Sequence, residues 1–80
     1  MKFEKLKSLA ISDNGFIFDP ASGHSYTTNE TGIAIITALK AGTDPGDIAP
    51  VIFDEFEVSP DDAERDVADF LDGLRKLMLI

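Results

Sequence analysis

Cysteine is absent from these 80 residues, so disulfides, thiolate metal sites and thiol chemistry are all excluded. Histidine occurs once, at His24, which rules out a histidine-based metal centre. No G-x-S-x-G is present, and the serines beside His24, Ser22 and Ser25, form no nucleophile–base pattern. Carboxylates are abundant, but no D-x-D-x-D-G spacing of a calcium loop occurs, and the acidic residues fall at helix starts and on one helix face. We therefore assign no catalytic residue, no metal and no cofactor.

Basic residues are also scarce. Lys and Arg number 7 against 15 Asp and Glu, a net charge of −8. That balance argues against nucleic acid and anionic membrane surfaces as partners, since both demand a basic footprint. No apolar run approaches the ~20 residues of a spanning helix. The opening MKFEKLKSLAIS lacks a long uninterrupted apolar segment and a small-residue cleavage site. The expectation is a soluble cytosolic protein whose charge-using partners are cationic. Residues 1–80 form a single domain, held by packing the 44% of residues that are hydrophobic.

What is present reads as three strands and then three helices. Leu6–Ile11 alternates loosely, with Leu9 and Ile11 on one face, and is the expected first strand. Asn14-Gly15 then marks a type I′ hairpin turn, which needs φ > 0 at both central residues. Phe16, Ile17 and Phe18 make the second strand, with Ile17 facing away from the two phenylalanines. Asp19-Pro20-Ala21-Ser22-Gly23 is a turn by composition, and His24–Thr28 is the third strand.

Asn29 is a good N-cap for a first helix whose face is Ile33, Ile36 and Leu39, with Ile35 beside it; Gly42 stops it. Asp44-Pro45 opens a second, carrying Ile48, Val51, Ile52 and Phe56, with Pro50 expected to shorten or kink it. Ser59-Pro60-Asp61-Asp62 opens a third, whose stripe is Ala63, Val67, Phe70, Leu71, Leu74 and Met78. The predicted class is α+β, winged-helix-like: a three-stranded antiparallel sheet followed by three helices, βββααα.

Gly15-Phe16-Ile17-Phe18-Asp19-Pro20, then Gly23 with Tyr26, then Asn29-Glu30-Thr31-Gly32, resembles the first half of the PqqD (pyrroloquinoline quinone biosynthesis D) family. Asp66-Val67-Ala68-Asp69-Phe70-Leu71 followed by Leu74 is similar to that family's third-helix signature. Short stand-alone members associated with an HPr-related gene system are the most similar kind. Two departures stand out: Thr28 where the family usually has an aliphatic residue, and Met78-Leu79 where it usually has Gly-Leu. The resemblance implies a non-catalytic peptide chaperone, a leader-peptide recognition element. Such a module captures the leader of a precursor peptide as an added strand on its third strand, beside the third helix, and presents it to a peptide-modifying enzyme. His24–Thr28 carries neither of the usual devices that blunt an edge, a charged side chain or a proline.

The candidate peptide-binding residues are Ser25, Tyr26, Thr27 and Thr28 on the strand, with Asp62, Asp66, Asp69, Phe70 and Gly73 placed together on the helix by its periodicity. The carboxylates and Gly73 form a stripe bordered by Phe70 and Leu77. The plainer reading is a solvated acidic face; the functional one is a groove that selects a Lys- or Arg-bearing peptide, with Gly73 admitting its backbone. Tyr26 is expected half-buried with its hydroxyl near the groove. Phe16, Ile17 and Phe18 read most simply as core, with one sheet face available to a partner as the alternative. Arg65, Arg75 and Lys76 are expected away from the acidic stripe, on a solvated face with Asp72. His24 follows a turn glycine rather than opening a helix, so a phosphoryl-carrier role is disfavoured.

Three rival functions are open to test. A winged-helix outline invites DNA binding, but both candidate recognition helices are acidic. An acyl carrier needs an attachment serine opening a helix, and neither Ser8-Leu9 nor Ser59-Pro60 fits. A small protein-binding adaptor in a kinase-linked HPr-related system is the runner-up. The expected state is a monomer or a dimer through the third-strand edge.

Overall fold

Leu6 and Leu9 lie three residues apart, and that spacing decides how the chain starts. In the computed structural model, which describes residues 3–80, Glu4–Lys7 is a single helical turn, α1. The strand expected over Leu6–Ile11 is confined to Ala10–Ile11, β1. Both leucines are buried, which a helical turn achieves and an alternating strand cannot. The turn is fastened from outside as well: the Lys5 ammonium sits 2.8 Å from Asp19 Oδ2.

Phe16–Phe18 is β2 and Ser25–Thr27 is β3. The sheet is antiparallel in the order β1-β2-β3, with Ile11 opposite Ile17 and Ile17 opposite Tyr26. The first hairpin turn differs from expectation. Only Gly15 has positive φ (+89°), so this is not a type I′ turn. Gly15 N–H donates to Ser12 O (3.1 Å) and Ser12 N–H to Phe16 O (2.9 Å), giving a three-residue loop with a left-handed glycine at its end. Gly15 O in turn accepts from Thr28 N–H (2.8 Å). The core expectation for β2 holds for Ile17 alone; Phe16 and Phe18 are 59% and 45% exposed on the outer face.

Asp19 closes the second hairpin. It is buried, and its carboxylate accepts from Ala21 N–H (3.0 Å) and Ser22 Oγ (2.9 Å) besides pairing with Lys5. The Lys5 hydrogen bond, helped by those from Ser22 and Ala21, holds the Asp19 pKa below the ordinary aspartate value against the opposing effect of burial.

Glu30–Lys40 forms α2, capped by Asn29 Oδ1, which accepts from Gly32 N–H at 2.9 Å. Its buried face is Gly32, Ile35, Ile36 and Leu39, rotated from the expected one so that Ile33 is only half-buried. Gly42, at φ +95°, ends it: Gly42 N–H donates to Leu39 O and Thr43 N–H to Ala38 O. Asp44 caps a 3₁₀ turn, Pro45–Asp47, that runs into α3, Ile48–Glu55. Pro50 is the third residue of α3, where its missing donor has no intrahelical acceptor to forgo.

Pro60–Lys76 is α4, its first turn held by Ser59 Oγ accepting from Asp62 N–H at 3.1 Å. Ala63, Val67, Leu71 and Leu74 bury one stripe. Met78, expected to extend that stripe, instead lies beyond the helix at φ +60° and is 84% exposed. It occupies the left-handed position where glycine usually ends a helix, with Met78 N–H donating to Arg75 O and Leu79 N–H to Leu74 O. The turn delivers Leu79 to the core in its place.

Candidate functional site

The sheet leaves β3 at its border, because β3 pairs with β2 alone. Which backbone groups are free follows from the bonds that exist. His24 O accepts from Asp19 N–H (2.9 Å) and Thr28 N–H donates to Gly15 O (2.8 Å), so the even-numbered residues turn their polar groups toward β2. Strand alternation then points the N–H and C=O of Ser25 and Thr27 at the open side. Four main-chain groups stand ready for an added strand.

Beside that border α4 forms one wall of a cleft of about 210 Å³. Tyr26, Thr27 and Thr28 face Asp69, Phe70, Gly73 and Leu77 across it, and Ile17, Leu74 and Leu79 lie beneath. A second hollow, about 370 Å³, continues toward the start of α2 and is lined by Asn29, Thr31, Gly32, Ile35, Asp66, Asp69 and Phe70. Asp69 and Phe70 belong to both, so the two are successive parts of one channel.

The folding of α2 against α4 shapes this channel. A Cβ on Gly32 would collide with Thr28 Oγ1 and come within 2.8 Å of Phe70 Cε1, so glycine is required for the helix start to close on Phe70. Gly73 is the opposite case: a Cβ there would meet nothing within 4 Å. Its bare backbone is part of the channel wall.

The sequence-derived residues separate clearly. Tyr26, Thr27, Thr28, Asp69, Phe70 and Gly73 converge on the apolar part, and Asp66 joins Asp69 in the acidic part. Tyr26 is half-buried with its ring edge-on to His24, centroids 6.5 Å apart. Ser25 contributes its main chain at the border while its side chain is exposed on the outer face beside Phe18. Asp62 does not reach the channel: its carboxylate pairs with Arg65 at 2.7 Å, one turn along α4. Arg65 is thus not remote from the acidic stripe as expected but neutralises its first member. Lys76 pairs with Asp72 at 3.2 Å on the solvated side. Among the described residues Asp66 and Asp69 have no cationic partner. Sequence reasoning left Leu77 at the border of the site, although it stands one turn beyond Gly73 on the Asp69–Gly73–Leu77 row; Leu79 gave no signal, since only the left-handed Met78 turns it inward.

Among the described residues no three His, Asp or Glu side chains converge in a way that would hold a metal ion. No helix among them is long and apolar enough to cross a membrane.

A solved structure described as lasso peptide synthetase B1 complexed with the leader peptide matches with a TM-score of 0.72 at 36% identity, covering 86% of this chain and 82% of that one. No curated protein matches. The family model of coenzyme PQQ synthesis protein D (PqqD) matches residues 15–80, which take in β2, β3, α2, α3, α4 and every residue that lines the channel. This chain belongs to the PqqD family.

Proposed function

We propose that this protein captures the leader segment of a precursor peptide as a fourth strand on β3 and presents it to a peptide-modifying enzyme, carrying out no chemistry of its own. The observation that carries this reading is the unclaimed N–H and C=O of Ser25 and Thr27 directly beside the α4 cleft. Family membership and the likeness to lasso peptide synthetase B1 complexed with the leader peptide support it. Backbone pairing supplies sequence-tolerant affinity, about 0.5–1.5 kcal/mol net per hydrogen bond. Selectivity comes from alternate guest side chains entering the cleft over Tyr26, Phe70 and Gly73. Asp66 and Asp69 favour a guest bearing Lys or Arg.

Thr27→Pro tests the reading. Proline removes an N–H that faces the open side and leaves the β2–β3 bonds intact, as at natural edge strands. The expected result is an unchanged circular dichroism spectrum with capture of the cognate leader peptide abolished in calorimetry. Undiminished capture by folded Thr27→Pro would refute strand addition at this edge.

A further inference from the structure

Resting on the capture reading, we infer that the channel fixes the direction and the register of its guest: a cationic side chain enters first, and a large apolar side chain follows four residues later. The two ends of the channel differ chemically. Its acidic end, Asp66 and Asp69, lies against the start of α2 at Asn29, where Phe70 also meets Thr28 and Gly32. Its apolar end, Leu77 and Leu79, lies against Tyr26 and Ile17. The channel is therefore polarised along β3, acidic beyond Thr28 and apolar beside Tyr26.

The length between the ends sets the spacing. Asp69 and Gly73 on α4 and Leu77, its C-cap in helical conformation, are successive members of one row, and eight residues at ~1.5 Å each place its ends roughly 12 Å apart. A strand advances ~3.4 Å per residue and presents every second side chain to one face. A pair four residues apart spans about 13–14 Å and a pair two apart only about 7 Å, so only the former reaches both ends. The side chain between them falls over Gly73, where an added Cβ meets nothing within 4 Å. The three requirements of the guest thus match three successive positions of the helix.

Direction follows from pairing. A strand added antiparallel, the slightly more stable arrangement, runs opposite to β3 and so passes from the acidic end to the apolar end. The guest's cation then precedes its apolar residue. The favoured class is an extended peptide of the pattern cation-x-x-x-large apolar, with an uncharged residue in the middle position.

The test uses short fluorescent peptides of equal composition with the whole protein. One carries Lys-Thr-Val-Thr-Leu, one has Lys and Leu two apart, and one carries Leu-Thr-Val-Thr-Lys. Anisotropy titration should show the first binding about tenfold more tightly than either of the others, the scale of one charge-assisted contact. In Asp69→Asn that preference and its dependence on salt should shrink together. Equal affinities for all three, with Ser25 and Thr27 amide resonances shifting on binding, would overturn the register while leaving capture intact. Tightest binding of the reversed peptide would overturn the direction. No binding and no amide shift with any of them, nor with a cognate leader peptide, would overturn the capture reading itself and this inference with it.

Discussion

Gly73 offers a perturbation in which stability and binding should move in opposite directions. Glycine three residues before the end of α4 leaves the unfolded chain more freedom than alanine would, and nothing in the fold uses the missing Cβ, since that atom would meet no neighbour within 4 Å. Gly73→Ala should therefore stabilise by about 0.5–1 kcal/mol. With an unfolding entropy of ~2.1 cal/mol/K per residue, an 80-residue chain gains about 3–6 °C in its thermal midpoint. Gly73→Leu should keep most of that gain, because leucine is also a strong helix former. Its side chain, however, fills the cleft between Tyr26 and Leu77, and affinity for a leader peptide should fall by about tenfold or more, as when one well-packed apolar contact is lost. Differential scanning calorimetry and a peptide titration on the same three samples decide the matter. A Leu variant that is both more stable and fully binding would refute the assignment of this helix face to the guest. A lowered midpoint for Gly73→Ala would refute the claim that the glycine has no part in folding.

Met78→Gly should stabilise by about 0.5–1 kcal/mol, the left-handed strain of methionine at φ +60° outweighing the added freedom of the unfolded chain, and thermal melts check it. Gly32→Ala should destabilise by about 1–3 kcal/mol, because its Cβ would collide with Thr28 Oγ1 and crowd Phe70; urea titration measures the loss. Asp19, whose pKa is lowered chiefly by Lys5, binds more protons unfolded than folded around its ordinary value of ~3.9, so its contribution is whole above that value and is lost as pH falls through the lower folded one. Melts from pH 7 downward should show that acid-dependent loss blunted in Lys5→Met; an unchanged profile would show that the ion pair does not set the titration.

Where local chemistry decides the structure, the sequence was enough. Asn29, Asp44 and Ser59 cap their helices because a short side-chain oxygen one step before a helix can reach only the orphan N–H groups there. Gly42 ends α2 for the same kind of reason. The errors arose where distant parts of the chain outvote local pattern. Leu9 and Ile11 share a face of the expected strand, but the core accepts Leu6 and Leu9 together, and Lys5 is tied to a turn fourteen residues later. Met78 sits on the apolar period of α4, yet the helix stops before it so that Leu79 can reach Leu74. The half of the channel on β3 was legible as an unguarded edge. The half on α4 needed the family resemblance to place it beside that edge, and only packing showed that Arg65 withdraws Asp62 while Asp66 and Asp69 remain available.

Of the two margins of the sheet, that of β3 (Ser25–Thr27) is longer than that of β1 (Ala10–Ile11) and is the one that borders the α4 cleft. Two copies meeting at the β3 margin would each bring a net charge of −8, and their mutual repulsion should disfavour that pairing relative to a visitor of the other sign. Ionic strength should consequently act as a selector: raising it weakens the hold on a cationic visitor while easing self-association, so the two occupancies of one seam should change with salt in opposite senses.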